Sequence, residues 1–203
     1  MSPIQKIVDA ISNQGFIVIA DFLPVTLSQA LFTQVCTIDE SAFKKAGVGR
    51  ADAFQVNNSI RTDQIYWLDN ENTLNESISA YLSWMETLRL QFNENLFLGL
   101  FDYECHYAFY PHGAFYQKHV DAFQGKSSRK LSTVLYLNPD WTHGDGGELI
   151  LYDENSDDVI KTVEPTFGKM VIFLSEVFPH EVLISQKERF SLTGWFRVNS
   201  NLS

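Results

Sequence analysis

Apolar residues recur along this chain with two different periods, and the change between them falls near residue 100. Before it the spacing is helical. Ile4, Ile7, Val8 and Ile11 stand at i, i+3, i+4 and i+7, one face of an amphipathic helix. Asn13-Gln14-Gly15 stops that helix, with Gly15 as the residue past its cap. Gly15 to Phe22, rich in Ile, Val and Phe, predicts a strand. A second helix follows Pro24, with Leu27, Ala30, Leu31 and Val35 on one face. Thr73-x-x-Glu76 has the form of a capping box. Leu74, Ile78, Tyr81, Leu82, Met85, Leu88 and Phe92 then mark the core face of a long helix, which Leu96–Gly99 closes.

From Asp102 the period becomes two. Tyr103, Cys105, Tyr107 and Phe109 alternate with Glu104, His106, Ala108 and Tyr110. Further strands are expected over 115–121, 130–138, 148–152, 159–163, 169–174, 180–184 and 190–198, separated by turn residues such as Pro111-His112-Gly113 and the polar run 139–147. Eight short strands preceded by helices predict a mainly β fold with flanking helices, a jelly roll or double-stranded β-helix. One domain is expected over 1–203: a helical flank over 1–100 and a jelly-roll core over 101–198.

Composition narrows the function. Hydrophobic residues make up 45%, enough for a sizeable core. Lys and Arg number 15 against 25 Asp and Glu, a net charge of −10, with no basic run, so a nucleic-acid partner is not expected. Cys36 and Cys105 form no disulfide framework and are expected to pack as small buried hydrophobes. The N-terminus carries no basic, apolar leader, and no stretch is long enough to span a membrane, so a cytoplasmic setting is expected.

The chemistry centres on His119-Val120-Asp121. Two residues apart on a strand, His119 and Asp121 project to the same face. By itself the pair also fits a strand with polar residues facing solvent. His180 lies far downstream in a second β run; alone it is equally a buried structural histidine. Together the two imidazoles and one carboxylate match the donor set of non-haem Fe(II) oxygenases, which leaves coordination positions open. Nine residues after His180 comes Arg189, a planar fork suited to a carboxylate, with Thr193 in phase with it on the same strand. Arg197 is also in phase, near the strand end, and is expected to be exposed. His106, His112 and His143 are rejected as ligands.

The flanking residues are more specific. Tyr110-Pro111, Tyr136-Leu137-Asn138, Gly146-Gly147-Glu148, Pro179-His180-Glu181-Val182 and Arg189-Phe190-Ser191-Leu192-Thr193-Gly194-Trp195 resemble the prolyl hydroxylases that use iron and 2-oxoglutarate. That family includes the hypoxia-inducible-factor prolyl hydroxylases of animals and their bacterial relatives. The likeness runs over about residues 46–198. Ala46-Gly47-Val48-Gly49-Arg50, Asp63-Gln64-Ile65-x-Trp67, Leu96–Leu100 and Ser191–Arg197 are most similar to the bacterial branch acting on elongation factor Tu.

The resemblance implies Fe(II) held by His119, Asp121 and His180, with 2-oxoglutarate and O2 as cosubstrates and ascorbate as an accessory reductant. It implies that Arg189, Tyr136, Thr193 and Tyr110 line the cosubstrate site, although strand packing alone would also explain Tyr136. Trp67 and Trp195 would flank a prolyl ring. Residues 46–67 would form a loop closing over substrate, with an Asp63–Arg129 pair tying it to the barrel when substrate is present; an ordinary surface hairpin bearing two solvated charges fits those residues too. Thr62 and Gln64 replace the family's Gly and Lys there. The implied reaction is hydroxylation of a prolyl residue in a protein, with a role in oxygen sensing in view. A free amino acid or small metabolite as substrate, or a non-catalytic metal or 2-oxoglutarate sensor, are the competing readings.

Overall fold

The computed structural model describes residues 3–47, 57–68, 75–122 and 127–199. The eight expected core strands all form, as β4 (Leu100–Tyr110), β5 (Tyr116–His119), β6 (Arg129–Tyr136), β7 (Leu149–Tyr152), β8 (Val159–Val163), β9 (Met170–Leu174), β10 (His180–Val182) and β11 (Arg189–Val198). They divide four and four between two antiparallel sheets. The larger sheet adds three earlier strands, β1 (Phe16–Ile19), β2 (Lys44–Lys45) and β3 (Gln64–Leu68), in the order β1-β9-β6-β11-β4-β3-β2. The smaller runs β5-β10-β7-β8. This is the jelly roll.

Strand alternation separates two cores. Tyr107 and Phe109 of β4, Leu192 and Phe196 of β11, and Leu131 and Leu135 of β6 turn toward the helices. There they meet α1 (Pro3–Gln14), α2 (Val25–Cys36) and α3 (Glu76–Leu96) through Ile7, Leu31, Tyr81, Met85 and Phe92. The alternate residues, Ala108, Tyr110, Val134, Tyr136, Val171 and Phe173, face the smaller sheet and pack with Leu149, Leu151 and Val182. The helices therefore brace one face of the large sheet and leave its other face to the space between the sheets.

Several local expectations change. β1 is shorter than Gly15–Phe22, because Asp21 takes a positive φ of 50° and Phe22 turns away to bond Gly168 O. On α2 it is Ser28, not Ala30, that is buried with Leu31 and Val35. Cys36 is exposed at that helix's last residue, whereas Cys105 is buried as expected. Thr73 and Leu74 lie outside the described residues. The long helix is instead capped by Asn75, whose side chain accepts from the amides of Ser77 and Ile78, with Glu76 as the first helical residue. Of the expected lid, 48–56 also lie outside the described residues. No helix among those described is long and apolar enough to cross a membrane.

Candidate metal centre and cosubstrate pocket

β5 and β10 are neighbours in the small sheet, and their register sets His119 directly opposite His180. Asp121 follows β5 by two residues, beyond the strand's last pair. One ligand atom from each of the three falls within 4.8 Å of the others. His119 Nε2 and His180 Nε2 each stand 3.7 Å from an Asp121 oxygen, too far for hydrogen bonds between them and close enough to share a cation.

The surrounding bonds leave the donors pointed inward. His119 Nδ1 lies 2.8 Å from Gln117 O and His180 Nδ1 2.9 Å from Phe178 O. A carbonyl only accepts, so both Nδ1 atoms carry a proton, and in the neutral ring the lone pair is on Nε2. Asp121 Oδ2 accepts from Ser132 Oγ at 2.6 Å and from Trp195 Nε1 at 2.9 Å. With its proton given to Asp121, Ser132 must accept from the buried Ser175, 2.8 Å away. Burial works against the Asp121 charge. The His180 and His119 imidazoles and the Ser132 hydroxyl outweigh it and hold the carboxyl well below the usual range. Burial and neighbouring His119 push His180 down to about 4, so it is neutral at physiological pH. Two neutral imidazoles and an ionised carboxylate are the state a ferrous ion needs.

Beside the triad a cavity of about 850 Å³ opens between the sheets. The inward residues of β11 line it in order: Arg189, Ser191, Thr193, Trp195 and Arg197. Arg189 is only 1% exposed. Its guanidinium lies 4.6 Å from the Tyr110 ring centre and 5.0 Å from that of Tyr136. Among the described residues no carboxylate pairs with it, and both Arg189 Nε and Tyr136 Oη are buried without a hydrogen-bond partner. Burial raises the Tyr136 phenol to about 12, which keeps its proton available for donation. A buried cation and a buried donor left unmatched side by side ask for an anion from outside.

Residues 105–197 match the family described as "2OG-Fe(II) oxygenase superfamily". The crystal structure of a Pseudomonas putida prolyl-4-hydroxylase superposes with a TM-score of 0.86 and 41% identity, over 97% of this chain and all of that one. The chain belongs to the prolyl hydroxylases of the 2OG-Fe(II) oxygenase superfamily. A Trichoplax adhaerens prolyl hydroxylase, solved with a hypoxia-inducible-factor peptide fragment, gives a TM-score of 0.85 at 28% identity, over 96% of this chain and 88% of that one. Human Egl nine homolog 1 is 27% identical over 95% of this chain, which spans 46% of that relative's length.

Within this prolyl hydroxylase framework the expected site residues do come together. His119, Asp121, His180, Arg189, Thr193, Tyr110, Trp67, Asp63, Arg129 and Trp195 all line the cavity. Tyr136 is not among the lining residues; its ring centre lies 5.0 Å from the Arg189 guanidinium. Their pairings differ from expectation at three points. Asp63 is bonded by Arg61, at 2.7 Å (Nε) and 2.6 Å (Nη2), not by Arg129. Arg129 instead bonds Glu104 at 2.9 Å and lies 3.5 Å over the Trp195 ring. The reason is register: β11 and β4 set Trp195 opposite Glu104, and this rung draws Arg129 to itself. Arg197, expected to be exposed, is half-buried and tied to Asp102 at 2.6 Å and Glu104 at 2.7 Å.

Four contributors were not singled out from sequence. Ser132 and Tyr116 look like ordinary strand residues, yet one bonds Asp121 and the other stacks on His119 at 3.5 Å and 14°. Arg61 covers the Tyr116 ring at 4.0 Å and so links the β3 approach to a metal ligand. His106, not expected to be a ligand, is 4% exposed and faces the cavity. Its alternation opposite Cys105 and Tyr107 was the available signal; that the opposite face is a pocket wall was not. His112 is exposed, and His143 is exposed and paired with Glu164 at 2.8 Å.

Proposed function

We propose that the protein is an Fe(II)- and 2-oxoglutarate-dependent dioxygenase that hydroxylates a prolyl residue in a protein, at the trans-4 position, with elongation factor Tu as the substrate to test. The observation that carries this is Arg189 Nε, unmatched among the described residues and buried in the same cavity as the His119–Asp121–His180 triad, with the Tyr136 ring 5.0 Å from its guanidinium. His119, Asp121 and His180 would hold Fe(II). Arg189 would meet the far carboxylate of 2-oxoglutarate as a fork, with the Tyr136 phenol donating beside it and Thr193 and Tyr110 lining the wall. With the metal and cosubstrates bound, a substrate C–H becomes C–OH while O2 is consumed and 2-oxoglutarate becomes succinate and CO2.

The rest falls to the chain's own side chains. Trp195 holds Asp121 with its indole N–H and presents its ring to the cavity, where the half-exposed Trp67 lies 6.3 Å away, centre to centre. Two such faces suit the flat edge of a prolyl ring. Asp63, Trp67, Arg129 and Trp195 are the proposed substrate contacts, within one oxygenase domain.

Incubating the protein with Fe(II), 2-oxoglutarate and elongation factor Tu, with ascorbate as reductant, should add one oxygen to the factor by intact-mass spectrometry. His180→Ala should remove both that oxygen and succinate release. An unmodified factor together with turnover of free proline would replace the protein substrate by a small molecule. Full turnover in His180→Ala would overturn the metal assignment.

A further inference from the structure

His106 lies in the cavity wall, and its Nδ1 has nothing to bond among the described residues. It sits on β4 opposite Thr193 of β11 and Trp67 of β3. Its ring is held between two indoles, Trp67 at 4.9 Å and Trp195 at 5.4 Å between centres. Nδ1 is sealed from solvent and has no partner. Burying an unmatched N–H costs more than burying a lone pair. The favoured tautomer therefore leaves Nδ1 bare and places the proton on Nε2. Burial, reinforced by Arg61 and Arg129 and opposed by Asp121, keeps the ring neutral.

Its place along the strand says what it meets. The inward positions of β4 run Tyr110, Ala108, His106, Glu104. At about 3.4 Å per residue, His106 lies about 14 Å from the Tyr110 end and about 7 Å short of Glu104. Tyr110 flanks Arg189, and Glu104 holds the Arg129 and Arg197 pairs. The small Ala108 leaves room between. His106 thus stands past the cosubstrate end and before the charged rim, beside the indole that bonds Asp121.

We infer that His106 is a specificity-determining residue that donates a hydrogen bond from Nε2 to a backbone carbonyl of the substrate, next to a prolyl ring packed on the cavity faces of Trp67 and Trp195. This rests on the prolyl-peptide reading above. A neutral donor is suited to a peptide carbonyl, and a carboxylate there would find the neighbouring Arg61 and Arg129 already taken by Asp63 and Glu104.

The test compares wild type, His106→Phe and His106→Gln in succinate release, using the most active member of a panel of synthetic proline-containing peptides. His106→Phe keeps an apolar ring between the indoles and removes the donor. His106→Gln returns an N–H at similar reach. His106→Phe should raise the peptide KM at least tenfold while the 2-oxoglutarate KM stays within twofold, and His106→Gln should recover most of that loss. An unchanged peptide KM in His106→Phe, or equal impairment of both variants, overturns the assignment to hydrogen bonding. If no peptide stimulates succinate release by the wild type, the prolyl-peptide reading itself falls, and this inference with it.

Discussion

Asp121 shows how much a single side chain here depends on its neighbours. Ser132 and Trp195 both donate to one of its oxygens, leaving Oδ1 free, and Ser132 joins His180 and His119 in holding its charge against burial. Those two bonds fix the carboxylate's rotation as well as its charge. Ser132→Ala would leave Oδ2 with one donor and Ser175 without its acceptor. Metal affinity should fall about 10- to 100-fold, the usual effect of losing such a support, while the fold survives. Titrating the protein with Mn(II) and following its paramagnetic relaxation would measure this. Affinity unchanged within a factor of two would show that Trp195 alone orients the carboxylate.

At the scale of elements, β11 is the strand on which the site is built. It lies between β6 and β4 and carries Arg189, Thr193, Trp195 and Arg197 on its cavity side. Its other side is fixed from behind by a chain of buried hydroxyls. Tyr81 of α3 bonds Tyr103 of β4 at 2.8 Å, Tyr103 bonds Thr133 of β6 at 2.7 Å, and Thr133 Oγ1 donates to Gly194 O at 3.2 Å. The Tyr103 phenol fills the space where a residue at 194 would carry a Cβ: that atom would lie 2.3 Å from Tyr103 Oη and 2.7 Å from Glu104 O. Glycine before Trp195 is therefore a packing requirement. Gly194→Ala should cost about 1–3 kcal/mol, the range for forcing volume into a filled core. It should lower the thermal midpoint by several degrees and displace Trp195. Calorimetry with indole fluorescence reads both, and an unaltered midpoint would mean that Tyr103 can swing aside.

For the whole molecule, holding neutral histidines inside a β sandwich makes stability depend on acid. Burial lowers His106 to about 3 and His180 to about 4, against an ordinary value near 6.5. Between those limits the unfolded chain binds more protons than the folded one, so stability falls as pH drops below about 6.5. Each such group contributes about 1.4 kcal/mol per pH unit while it remains neutral in the fold. The lowered Asp121 acts in the same direction at still lower pH. The metal-free protein should therefore have a thermal midpoint that is flat above pH 7 and declines steeply from pH 6.5 to 4. His106→Phe should decline less steeply. Parallel curves for variant and wild type would show that His106 takes up its proton without unfolding.

Residue order alone determined the change from a helical period to a period of two, and with it the helices, the eight core strands and the facing of His119, Arg189 and Thr193. These are local properties: side-chain direction follows from periodicity, and the motifs around them are short. Three-dimensional pairing decided the rest. The Arg61–Asp63 and Arg129–Glu104 pairs, the parts played by Ser132 and Tyr116, and the cavity opposite Cys105 and Tyr107 went unnoticed, because each depends on which strand lies beside which. Register between strands distant in sequence is set by the summed packing of both sheets. A charge chooses its partner only after that packing has placed the candidates within reach.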